Sequence, residues 1–118
     1  MPPKIYSMSF AKIYPLLVQK VVRKGRLPEE ADAVISLLTG YSSEEIHAAC
    51  EANMDYSTFF ANAPHYHEHA DALKGRVCNV RVETIEEPLM KQIRQLDLLI
   101  DLLAKGKSLE AITSLFGE

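Results

Sequence analysis

His65-Tyr66-His67-Glu68-His69 is the one local run in this chain whose residue types look chemical. On an extended backbone His65, His67 and His69 project to one side, as ligands of a zinc or nickel ion do. On a helix His65 and His69 meet four residues apart, and the string fits the H-x-x-E-H spacing of the inverted zinc peptidases. A peptidase also needs a supporting helix, a further ligand and a substrate cleft, and 118 residues give no length for the last. The run is therefore expected to be chiefly a solvated His-rich loop with adventitious metal affinity, and no cofactor is expected. Other chemistry has no recognisable pattern: there is no G-x-S-x-G, no Gly-rich phosphate loop and no G-x-G-x-x-G. Glu83, Glu86 and Glu87 stand near Arg76 and Arg81, but acids at a helix start explain Glu86 and Glu87.

Charge is sorted into blocks. Lys4, Lys12, Lys20, Arg23, Lys24 and Arg26 are unopposed by any acid in residues 1–26, and residues 27–71 hold nine acids and no base. Opposite blocks of this kind attract, within one molecule or between two. Lys12, Lys20, Arg23 and Lys24 form a stripe that is a candidate partner surface, or a solvated face complementing the acidic helices. Nucleic acid is an unlikely partner, because the pI is near 5.8. A helix-turn-helix over residues 28–51 would also bring Glu44, Glu45 and Glu51 to the phosphates.

The elements that must position these residues are helical. Ser9 caps a first helix running to Lys24, with Phe10, Tyr14, Leu17, Val18 and Val21 on its apolar face; Pro15 should kink it or mark its start. Pro28 opens a second helix with Ala31, Val34, Ile35 and Leu38 inward, ended by Gly40. Ser42 and Glu45 form a capping box for a third, and Asp55 caps a short fourth holding Phe59 and Phe60. Residues 64–76 read as loop. The period-two run from Val77 to Val82 reads as a strand, for which Ile5–Met8 is a candidate partner. The longest helix runs from about Pro88 to Lys105, with a seam of Leu89, Ile93, Leu96, Ile100 and Leu103 that serves the core or a subunit interface. Ser108 caps a last helix carrying Leu109, Ile112 and Phe116. The fold class is thus all-α: one compact bundle of five or six helices, with at most one short β pairing. Cys50 and Cys78 are expected as buried, reduced thiols. Neither a signal peptide nor a membrane-length apolar run is visible, which points to the cytoplasm.

Three stretches carry a family resemblance. They are Ile5-Tyr6-Ser7-Met8-Ser9-Phe10 with Tyr14-Pro15; Lys24-Gly25-Arg26 leading to Leu38-Thr39-Gly40-Tyr41-Ser42; and Cys78 through Arg81–Met90 and Ile93–Asp97 to Ala104–Lys107. By these the chain resembles the uncharacterised prokaryotic domain-of-unknown-function family 2200, which has no assigned activity, substrate or cofactor, so no catalytic residue carries over. The family is expected to have an Asn- and Pro-bearing loop where this chain has its His run. That makes the run peculiar to this chain and moves the search to residues 76–94. There Asn79, Arg81, Glu83 and Arg94 are expected as buried polar residues forming a structural network or a ligand pocket.

Three functions follow as expectations. The first is a small cytosolic interaction or regulatory protein without catalytic activity, homodimeric through the long helix or residues 77–82. The second is a small-ligand or metal-binding protein, enzymes included, using the 76–94 polar set or the His run. The third is a nucleic-acid accessory protein using the basic first helix.

Overall fold

Four of the helices begin where a side chain accepts a backbone amide that has no partner inside the helix. Ser9, Ser42, Asp55 and Ser108 accept the amides of Ala11, Glu45, Thr58 and Ala111. Pro28 and Pro88 take the first helical position, where a missing N–H costs nothing. The computed structural model describes residues 3–77 and 79–117. It places α1 at Phe10–Val22, α2 at Pro28–Thr39, α3 at Ser43–Glu51 and α4 at Tyr56–Ala61. β1 (Arg76–Val77) and β2 (Val80–Arg81) follow, then α5 at Pro88–Ala104 and α6 at Leu109–Ser114. The helical architecture with one short β pairing is as expected. Among the described residues no helix is long and apolar enough to cross a membrane.

The core forms around α5. Ile93, Leu96, Leu99, Ile100 and Leu103 are completely buried against α1, α2, α4 and α6. The seam is therefore engaged inside the chain, and Leu89 at its start is only partly buried. An aromatic layer closes the other side: the Phe10 and Phe59 rings stack at 3.9 Å and those of Tyr41 and Phe59 at 4.5 Å. The Tyr41 hydroxyl donates to the Phe59 carbonyl at 2.7 Å, so the polar tip of this buried ring is satisfied.

Three expectations change. Residues 77–82 are not one strand paired with Ile5–Met8. The chain reverses at Asn79, in the left-handed region at φ 67°, and β1 pairs antiparallel with β2. Lys4–Ser7 is a 3₁₀ turn, and the extended contact of the N-terminal segment is with the start of α4. There the Phe10 amide donates to Met54 and the Tyr56 amide to Met8. Pro15 does not start α1, which begins at Phe10 and continues past it, with Pro15 on the exposed side of the helix. On the same helix Ile13 is buried, while Tyr14 and Val18 are half-buried. Cys50 is likewise only half-buried, and the expectation for Cys78 lies outside the described residues.

The His run has a backbone task. The amides of His65 and His67 donate to the carbonyls of Thr39 (3.0 Å) and Leu38 (2.7 Å), groups that the end of α2 leaves without helical partners. The loop therefore passes close over Gly40, where φ is 82° and an added Cβ would meet the His65 amide nitrogen at 2.7 Å. Gly25 has almost the same φ, 85°, with nothing near. Gly25→Ala should thus cost about 1 kcal/mol for left-handed strain alone. Gly40→Ala should cost clearly more, because the loop must also move. Urea midpoints of the two variants, at unchanged m, measure the difference.

Candidate functional site

Asp32 lies beside Ala31 on the buried arc of α2, with 8% of its surface exposed. A carboxylate there must be satisfied by neighbours. The Tyr14 hydroxyl from α1 donates to Oδ1, and the Ser43 hydroxyl from the start of α3 donates to Oδ2 at 2.7 Å. His47 Nε2 from the next turn of α3 lies 3.3 Å from Oδ2 and 3.2 Å from the Tyr14 oxygen. One carboxylate thus ties three helices together. Burial, then the bond to Asp32 and its charge, push the Tyr14 phenol well above its usual pKa, so it stays a donor at neutral pH.

The arrangement is a clamp more than a reaction centre. Ser43 donates to Asp32 rather than to His47, which is not the order of a nucleophile, base and orienting acid. Cys50, one turn beyond His47, has its thiol pushed up by burial and by Asp32 and Glu51, the opposite of an activated thiolate.

The clamp borders an apolar cleft. A hollow of about 510 Å³ is lined by Tyr14, Pro15, Val18, Val22, Pro28 and His47, with Gln19 at its edge. A second, of about 320 Å³, continues it along α3 past Cys50 to Glu51 and shares Tyr14, Pro15 and His47. Val22 is 44% exposed, and beside the cleft Leu16 and Leu27 are about 60% exposed. The rims differ in charge. Lys12 on α1 and Arg23 just past its end are exposed, and the Arg23 guanidinium donates to Gln19 Oε1 at 3.3 Å. Across the cleft Glu44 and Glu51 flank His47 on the exposed face of α3, with Glu29 next to Pro28.

The expected sites fall elsewhere. Asn79 and Arg81 are exposed, contrary to expectation, because they lie on the turn and outer strand of the hairpin. Arg81 pairs with Glu83 at 3.7 Å. Glu83 also accepts the Gly75 amide; its own amide, that of Gly75 and then Arg81 hold its carboxyl below the usual pKa. Arg94 pairs with Asp97 on its own helix at 3.0 Å. In the His run, the His67 and His69 rings lie 5.8 Å apart. The His67 ring stacks on Phe116 at 3.9 Å and its Nδ1 accepts the His69 amide. Among the described residues no group of three or more His, Cys, Asp or Glu side chains is placed to hold a metal. The basic stripe divides as well: Lys20 turns to Asp101 on α5 at 3.0 Å, while Lys12, Arg23 and Lys24 stay exposed.

The chain matches, over residues 4–114, the family described as uncharacterized proteins conserved in bacteria, domain of unknown function 2200, and it belongs to that family. A crystal structure titled uncharacterized protein SP1917 is similar at 41% identity with a TM-score of 0.93, covering 100% of this chain and 97% of that one. No curated protein matches.

Asp32→Ala should cost about 2–3 kcal/mol, since it removes hydrogen bonds to a charged, buried acceptor and strands the Tyr14 and Ser43 hydroxyls. His47→Ala should cost under about 1 kcal/mol, since the ring is more than half exposed. Denaturant unfolding of both variants checks the order. The phenols of Tyr6, Tyr14, Tyr41, Tyr56 and Tyr66 are all raised in the folded chain, Tyr6 to about 12. Their contribution to stability is fully present below the unfolded value of about 10 and is lost as pH climbs towards the folded values. Urea midpoints should therefore show a collective tyrosine loss beginning near pH 10, smaller in Tyr14→Phe.

Proposed function

We propose that this member of family 2200 is a small, non-catalytic interaction protein of the cytoplasm, and that it pairs with a second copy of itself across the α1–α3 cleft. The observation that carries the reading is the cleft's charge asymmetry: an apolar floor with bases on the α1 rim and acids on the α3 rim. Such a surface is self-complementary. About a two-fold axis, Lys12 and Arg23 of one copy face Glu44 and Glu51 of the other, while the Pro15–Val18–Val22 strips meet between them. The apolar strip supplies most of the affinity and the charges fix the register. This moves the interface from the two places expected of it. The α5 seam is buried within the chain, and residues 77–82 make a hairpin whose strands have two residues each.

The internal polar bonding of the clamp supports binding over catalysis, because Asp32 is already satisfied by Tyr14, Ser43 and His47 and holds the cleft walls at fixed spacing. Sedimentation velocity at about 100 µM should give a dimer. Val22→Asp should weaken it at least tenfold with an unchanged circular dichroism spectrum. Arg23→Glu and Glu51→Arg should each weaken it alone, and mixing the two variants should restore pairing as a heterodimer. A wild-type monomer at that concentration would overturn the reading.

A further inference from the structure

A separate hollow of about 210 Å³ lies between the loop over residues 66–71 and the first turns of α5. It exceeds the roughly 150 Å³ engineered cavity that takes up a benzene ring, and is smaller than the roughly 300 Å³ from which pockets for drug-sized ligands begin. Its scale is that of a metabolite with about ten heavy atoms.

The hollow is lined on the α5 side by Lys91, Gln92 and Gln95, and Gln95 stands among the buried apolar residues of that helix. Gln95 is 2% exposed and sits on α5 between the fully buried Ile93 and Leu96 and Leu99. Its Oε1 accepts the Tyr66 hydroxyl, and its Nε2 donates to the Ala70 carbonyl at 3.1 Å. A carboxamide offers two donors and an acceptor with two lone pairs, and these bonds use only half of that capacity. A leucine here would be the ordinary solution for burial; the amide instead ties α5 to the loop at Tyr66 and Ala70 and gives the hollow a polar lining group. The rim carries opposite charges. Lys91 and the carboxylates of Glu68 and Asp71 all line the hollow; Lys91 Nζ lies 3.4 Å from Asp71 Oδ1, and Glu68 Oε1 lies 3.6 Å from His69 Nε2. The Asp71 side chain is 89% exposed, so this is a weak pair that a ligand can open.

We infer that this hollow binds a small zwitterion of free amino-acid size, its carboxylate on Lys91, its ammonium between Glu68 and Asp71, and its polar atoms towards Gln95 and Gln92. The lining charges select that class. A simple anion finds one ammonium but two carboxylates, and a simple cation finds Lys91 in its way. Only a ligand with both signs matches both walls. The hollow shares no lining residue with the cleft of the proposed dimer.

The test is calorimetric titration of the full chain with each of the twenty proteinogenic amino acids. At least one should bind, and its deaminated carboxylic acid and its decarboxylated amine should each bind at least tenfold more weakly. Lys91→Met should weaken the best ligand at least tenfold, as should Gln95→Leu, which keeps the core filled. Val22→Asp should leave the affinity unchanged. No heat with any of the twenty would overturn the inference, as would equal binding of the deaminated acid or unaltered affinity in a folded Lys91→Met protein.

Discussion

Helix α5 is apolar around most of its circumference. A helix of that kind has no stable place in water; it must be covered on every side. With Ile93, Leu96, Leu98, Leu99, Ile100 and Leu103 all buried, each such side chain contributes roughly 1.5–3 kcal/mol from its removal from water. No other element of the chain buries as much. Helices α1, α2, α4 and α6 take their positions as its cover, and each then has one face engaged and one face free. What the protein can do with partners is decided on the free faces.

Covering α5 creates the problem that Asp32 answers. Helices α1, α2 and α3 pack against one another beside the apolar cleft. A carboxylate bonded to Tyr14, Ser43 and His47 fixes the three at one spacing, and it does so directionally, which apolar contact alone does not. The result is a cleft with stiff walls. Rigid walls lower the ordering cost of binding, so the same polar group that organises the fold also prepares the surface.

The helices and the core were legible because their signals are local. Ser42 with Glu45, Asp55, Gly40 and the spacing from Ile93 to Leu103 each act within a turn or two. The clamp was not legible as a site, because Tyr14, Asp32 and His47 are brought together only by packing. One sign was present: Asp32 adjoins Ala31 on the same arc as Ile35, a carboxylate on a buried stripe that demanded partners. Asn79 was a second. Asn adopts the left-handed region more readily than other residues with side chains, and a Val-rich run containing it can be a hairpin as readily as a strand. The backbone task of the His run is invisible in sequence, because it belongs to the amides of His65 and His67, which close the end of α2, and not to the side chains.

Charge segregation in the sequence translates into little charge pairing between the two blocks among the described residues. Lys20, from the basic block, is held by Asp101 on α5, and Arg26 by Glu30 one turn away at 2.6 Å. These pairs leave Lys12, Arg23 and Lys24 exposed on one side, and Glu29, Glu44 and Glu51 exposed on the other. Had the blocks existed to hold the monomer together, these residues would face one another across the α1–α3 contact. The polar work there is done instead by a phenol, a hydroxyl and an imidazole around one acid. The separation of signs therefore lies on the outer surface, where screened attraction over about 8 Å favours encounter with a complementary body. In the proposed dimer, a second copy of the chain supplies that complement by symmetry.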